Sequence, residues 1–144
     1  MKRLYPLFLA AVFLFGCLGH LLLQPKKEAG PPAVLSFSAE NVNNLLLYSF
    51  PAEGTTLTLL GTECTLLEIS HSGTILRARQ GGRETARTSL LFSTVSIRVK
   101  AEVREKEGRL FVGEAPLFWG DTVTLLGENF SFSARFAGSR WDFS

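Results

Sequence analysis

Two histidines, two cysteines and a single methionine are all that this 144-residue chain holds of imidazole and soft sulfur side chains. Cys17 and Cys64 stand far apart, and neither shares a ligand spacing with His20 or His71. A structural zinc site takes four such ligands in close pairs, so no metal is expected and no cofactor is implied. Catalytic sets are equally scarce. His71 lies in Ser70-His71-Ser72-Gly73, which has no Gly-x-Ser-x-Gly elbow, and it reads as a solvated turn histidine. The acids are scattered over turns and strand exteriors, not paired for glycoside hydrolysis. No glycine loop joins a strand to a helix as a phosphate cradle does. No catalytic residue is assigned. A sustained excess of positive charge is missing too. The net charge is +2, and the 111 residues after residue 33 carry eleven Lys/Arg against twelve Asp/Glu. A general nucleic-acid binder needs a continuous basic surface, so that class is set aside.

What the chain does have is one long apolar run. Residues 4–23, LYPLFLAAVFLFGCLGHLLL, hold no formal charge at neutral pH. As a helix, twenty residues span about 30 Å, the thickness of a bilayer core. The spacing predicts a single N-terminal transmembrane helix. Lys2, Arg3 and the amino terminus flank one side; on the other, Lys26 and Lys27 are offset by Glu28. That bias places the N-terminus inside and the domain outside the cytoplasmic membrane. Two alternatives stay open. Leu14-Phe15-Gly16-Cys17 resembles a lipobox, which makes Cys17 a candidate lipidation site. A secretory signal with full release is the other, although no small-x-small site comes after the run. Residues 24–33, rich in Pro, Gly and charge, read as a spacer, and residues 34–144 as one extracytoplasmic domain.

Within the domain an eight-residue stretch occurs twice. GTTLTLLG at 54–61 returns as GDTVTLLG at 120–127, with six identical positions at an offset of 66. Each copy is a glycine turn, a β-branched strand and another glycine, then an apolar-hydroxyl-apolar strand. Two such hairpins predict a pseudo-two-fold arrangement. Residues 95–103 alternate without a break: Val95, Ile97, Val99, Ala101 and Val103 on one face, polar and charged residues on the other. That is an antiparallel strand with one wet face. Glu105 to Gly108 closes a hairpin. Phe130, Phe132 and Phe136 share a face, and Gly138-Ser139 reads as a turn. Residues 39–48 carry Val42, Leu45 and Leu46 at helical spacing, with Ser38 as cap, and predict one short amphipathic helix. Cys64 reads as a small buried hydrophobe. The predicted fold is mainly β: a small barrel-like or folded antiparallel sheet with a pseudo-repeated hairpin and one short helix, preceded by the transmembrane helix.

The order of these features, with the Gly-Asp-x-Val-x-Leu motif closing residues 108–125, resembles the domain of unknown function 4330 family. The resemblance covers residues 4–136. It implies a membrane-anchored extracytoplasmic β domain and carries over no functional residue.

One uneven charge feature remains. Between Arg77 and Arg109 lie nine basic residues against Glu84, Glu102, Glu105 and Glu107. Arg77, Arg79, Arg83 and Arg87 flank Gly81-Gly82, read as a flexible loop, and are the candidate binding residues. Arginine suits bidentate contact with phosphate or carboxylate. The sequence thus points to a non-catalytic envelope module that meets the bilayer through residues 4–23 and engages another envelope protein. The alternative is a binder of an anionic envelope polymer or lipid headgroup through the arginines.

Overall fold

The computed structural model describes residues 30–141. The apolar segment 4–23, with Cys17, lies outside the described residues. Among those described, no helix is long and apolar enough to cross a membrane. Antiparallel strands dominate: β1 (Pro32–Asn43), β2 (Thr56–Leu59), β3 (Thr62–Gln80), β4 (Arg83–Lys106), β5 (Arg109–Val112), β6 (Ala115–Leu117), β7 (Thr122–Gly127) and β8 (Phe130–Trp141). Among the described residues, helix is confined to one 3-10 segment, Asn44–Ser49. The strands pair in the order β1-β8-β7-β2-β3-β4-β5-β6, and β4 also pairs with β1. Six strands therefore complete a circuit of antiparallel pairings, while β5 and β6 extend the sheet from the far end of β4.

Strict alternation explains the circuit. Val95, Ile97, Val99, Ala101 and Val103 of β4 are buried, as are Ala33, Leu35 and Phe37 of β1. Leu57, Leu59, Cys64, Leu66, Val123, Leu125, Ala134 and Phe136 complete the inner face. Period-2 patterning turns all of these toward one shared core. Phe37 meets Phe136 with ring centroids 5.6 Å apart. Phe50, just past the 3-10 segment, packs on Phe132 at 4.9 Å and Phe130 at 5.3 Å.

The two repeat copies lie side by side. β2 pairs with β7 so that Leu59 faces Leu125, its own counterpart 66 positions on. The strand after each copy has the same irregularity. β3 bulges at Leu67 against β4, and β8 bulges at Ala137 against β1. Leu66 and Glu68 face Val99 and Arg98, just as Phe136 and Gly138 face Phe37 and Ser36. Ser36 and Arg98 are therefore counterparts, and they meet where β1 pairs with β4. In a two-fold arrangement only residues on the axis meet their equivalents, so both seams lie on one pseudo-dyad. Local bonds repeat as well. Thr55 N–H donates to the Ala52 carbonyl at 3.2 Å, and Asp121 N–H to the Phe118 carbonyl at 3.0 Å. Gly54 N–H donates to Leu66 O and Leu66 N–H to Thr55 O; Gly120 N–H donates to Phe136 O and Phe136 N–H to Asp121 O. Gly54 and Gly120 share a left-handed backbone, with φ of 85° and 87°.

Three expectations are corrected. Residues 39–43 are strand, not helix: Ala39, Val42 and Asn43 pair with Val95, Ser93 and Phe92 of β4, and that pairing outweighs the helical spacing. A bulge at Glu40 and Asn41 lets Val42 stay buried opposite Ser93, and Asn43, not Ser38, caps the 3-10 segment by accepting from Leu45 N–H at 2.9 Å. His71-Ser72-Gly73 is no turn, since β3 runs straight through it. Gly73 leaves room for Thr88: a Cβ there would run into Thr88 Cγ2. Gly138-Ser139 is likewise inside β8, at the register shift against β1. The matching bulge at Leu67 turns that side chain outward and lets Ile69 face Ile97.

Gly54→Ala and Gly120→Ala are each expected to cost about 1–2 kcal/mol, because the space beside them is open and the penalty is conformational. Leu125→Ala, emptying a fully buried site, should cost about 2–5 kcal/mol. Denaturant unfolding of the three variants checks both ranges.

Candidate binding arm

β3 and β4 are longer than the circuit needs. Past Gly73 and Ser93 they leave it and continue together as a two-stranded arm, from the Ile75–Thr88 pair to the Gln80–Arg83 pair. At roughly 3.3 Å per residue this is a projection of about 20 Å. Gly81 and Gly82 make its tip, both with positive φ (60° and 79°), as a two-residue hairpin turn of the primed type requires. The expected flexible loop is therefore a tight turn on a ribbon. The arm projects from the end of the circuit where β1 finishes, opposite Phe92; the chain enters at the other end, where Pro32 faces Glu102.

All four candidate arginines are on this arm and exposed. They do not form one patch. Residues paired across an antiparallel ladder share a face, so Arg77 and Arg79 lie on one face with Ala86 and Glu84. Arg83 and Arg87 lie on the other, with Leu76 opposite Arg87. The arm is cationic on both sides, with Glu84 its one acid. Arg98 and Arg104 of the same segment are held by local partners. Arg98 meets Glu68 at 2.8 Å, and Arg104 donates to the Gly113 carbonyl at 2.7 Å and lies 3.4 Å from Glu114. None of the four arm arginines is ion-paired with a described carboxylate.

An apolar collar surrounds the base of the arm. Between Gly73/Ser93 and Ile75/Thr88, β3 supplies one residue and β4 four, so β4 bulges there and Leu90 and Leu91 are displaced outward. Leu90 is 91% and Leu91 69% exposed. The bulge is built, not loose. Ser89 Oγ accepts from Leu91 N–H at 3.2 Å and Phe92 N–H at 3.1 Å. Asn44 Nδ2 donates to the Leu90 carbonyl at 2.8 Å, and Ser93 Oγ to Asn44 Oδ1 at 2.6 Å. Through Asn44 the bulge is tied to the 3-10 segment, whose Leu45, Leu46 and Tyr48 are also exposed, as are Ile75 and Leu76. Helical spacing alone puts Leu45 and Leu46 on a core face and misses the collar. The one signal for it is Leu90-Leu91-Phe92, three apolar residues that break alternation.

The remaining candidates sit elsewhere. His71 is exposed within β3 opposite Val95, at the rim of an open hollow of about 540 Å³ with Tyr48, Glu53 and Ser93. Asp121 is engaged locally, its Oδ2 accepting from Phe118 N–H at 2.9 Å. Among the described residues no three His, Cys, Asp or Glu side chains converge as a metal site. A second hollow, about 680 Å³, lies at the chain-entry end and mixes Glu63, Glu102 and Glu114 with Lys100 and Arg104.

Cys64 is buried on the inner face, and burial pushes its thiol up from 9.0 to about 11. It should resist thiol reagents at pH 8 until the domain unfolds. The folded state holds the proton longer than the unfolded chain does. Its contribution is therefore intact below about pH 9 and is lost as pH rises toward 11, which Cys64→Ala should abolish in a pH series of unfolding curves.

Comparison with known proteins supplies no relative from which to borrow a ligand: no family model, no curated protein and no solved structure matches this chain.

Proposed function

We propose that this chain is a membrane-anchored, extracytoplasmic, non-catalytic module whose β3–β4 arm engages another envelope protein. Residues 4–23 are the anchor in the cytoplasmic membrane, with the N-terminus inside, and the six-strand circuit is a small barrel that serves as a stiff stand. The observation that carries the reading is the arm itself. A two-stranded ribbon exposed on both faces is marginal in water, and an apolar collar at its base adds uncovered surface. A partner that covers both removes both costs. The anchor agrees with the geometry: β1 starts at Pro32, at the end of the circuit opposite the arm, so a short spacer holds that end near the bilayer and points the arm away. Membership in the domain of unknown function 4330 family belongs to the same proposal. The four arginines without a described carboxylate partner favour one second reading, a binder of an anionic envelope polymer or lipid headgroup. Acylation at Cys17 is an alternative form of the anchor and leaves the arm unchanged.

The test replaces residues 75–88 with an Asn-Gly turn in the full-length protein. After cross-linking in native membranes, the unaltered protein should bring down one membrane protein at near-stoichiometric yield, and the shortened one should lose it. The unfolding midpoint should hardly move, since the arm contributes nothing to the core. Retention of the same partner without the arm sinks the reading.

A further inference from the structure

We infer that the arm docks lengthwise into a groove of a partner protein that is acidic at its far end and apolar at its mouth. This rests on the interaction reading and adds the chemistry of the partner. The ground for it is the order of chemistry along the arm. The tip third carries Arg79 opposite Glu84, then Arg83 and the Gly81-Gly82 turn, a net positive end; Arg77 and Arg87 come next, Arg87 opposite Leu76; the leucine collar comes last, against the circuit. Charge therefore leads and apolar surface trails.

That order separates the possible occupants. A bilayer would need the reverse, since a membrane-inserting hairpin puts its apolar residues at the tip and its cations behind. An anionic polymer would satisfy the arginines and leave the exposed Leu90 and Leu91 uncovered. A second copy meeting arm to arm would bring four arginines against four, with one glutamate on each side. The opposite end of the same molecule offers no purely acidic counterpart. In its hollow Glu63, Glu102 and Glu114 are mixed with Lys100 and Arg104, and the β4–β5 hairpin adds Lys106 and Arg109 beside Glu105 and Glu107. A protein groove with acidic walls meets cations on both faces of the ribbon at once. Its apolar lip would seat Leu90 and Leu91, which the Ser89 and Asn44 bonds already hold in place. Pre-organisation of this kind lowers the ordering cost of docking.

The experiment places a photo-activatable amino acid at position 79 or at position 91 of the full-length protein in native membranes. Both should capture the same protein. The peptide cross-linked from 79 should be rich in Asp and Glu, and the one from 91 apolar. Arg77→Glu with Arg83→Glu and Arg87→Glu should lower capture from position 91 more than about tenfold, while the matching lysine set stays within about threefold. Leu90→Ser should lower capture from position 79 several-fold. Protease resistance of each variant monitors folding, and Arg→Gln replaces any reversal that unfolds. Capture of lipid, polymer or a second copy alone overturns the inference. So does a captured protein whose tip peptide lacks acids or that ignores charge reversal; that outcome leaves the interaction reading standing. No capture from either position, with no effect of shortening the arm, removes both.

Discussion

The pairing of β1 with β4 is the contact on which the rest of the domain depends. β1 is bonded on its other edge to β8, so this one strand turns an open sheet into a circuit. Closure removes the edges that would otherwise template pairing with another chain, and it places the apolar face of all six strands around one core. Ala33, Leu35 and Phe37 have no exposure, which only a strand covered from both sides and above can achieve. Pairing with β4 continues past the last β1–β8 pair at Ser38 and keeps residues 39–43 in the strand against their helical spacing.

Closure also sets where freedom remains. Every ring strand is held on both edges within the circuit, so a projection has to come from strands that outrun it. β3 and β4 do, and the break between ring and arm is built from particular residues. Gly73 admits Thr88, four β4 residues stand against one on β3, and Ser89 and Asn44 tie down the displaced backbone. The exposed leucines result from that register change. Where residues 89–92 leave the β3 ladder, alternation breaks: Ser89 stays buried while Leu90 and Leu91 both stand in solvent.

The pseudo-dyad ties the two halves together physically. Counterparts meet at Leu59/Leu125 and at Ser36/Arg98, on opposite sides of the circuit. The halves differ where the dyad has no hold. One half carries the 3-10 segment between its first two strands and the other carries β5 and β6, while only β3, running on into β4, forms an arm. A fold of equivalent seams with unequal insertions leaves its chemistry on the insertions and its stability on the seams.

Much of the ring was legible in the residues themselves. Alternation over 95–103, the repeated Gly-Thr-Leu stretch and the Glu107-Gly108 turn each act locally, through side-chain period and backbone freedom, so they can be read in order along the chain. The four arginines were legible as a group for the same reason. What only the tertiary structure decided is everything that depends on a partner strand: that the repeat copies pair with each other, that residues 39–43 are extended, that the arginines divide between two faces, and that Leu45, Leu46, Leu90 and Leu91 are exposed. A bulge of one or a few residues reverses or breaks the inside-outside alternation of the residues after it, and whether it occurs is set by the neighbouring strand, many residues away in sequence.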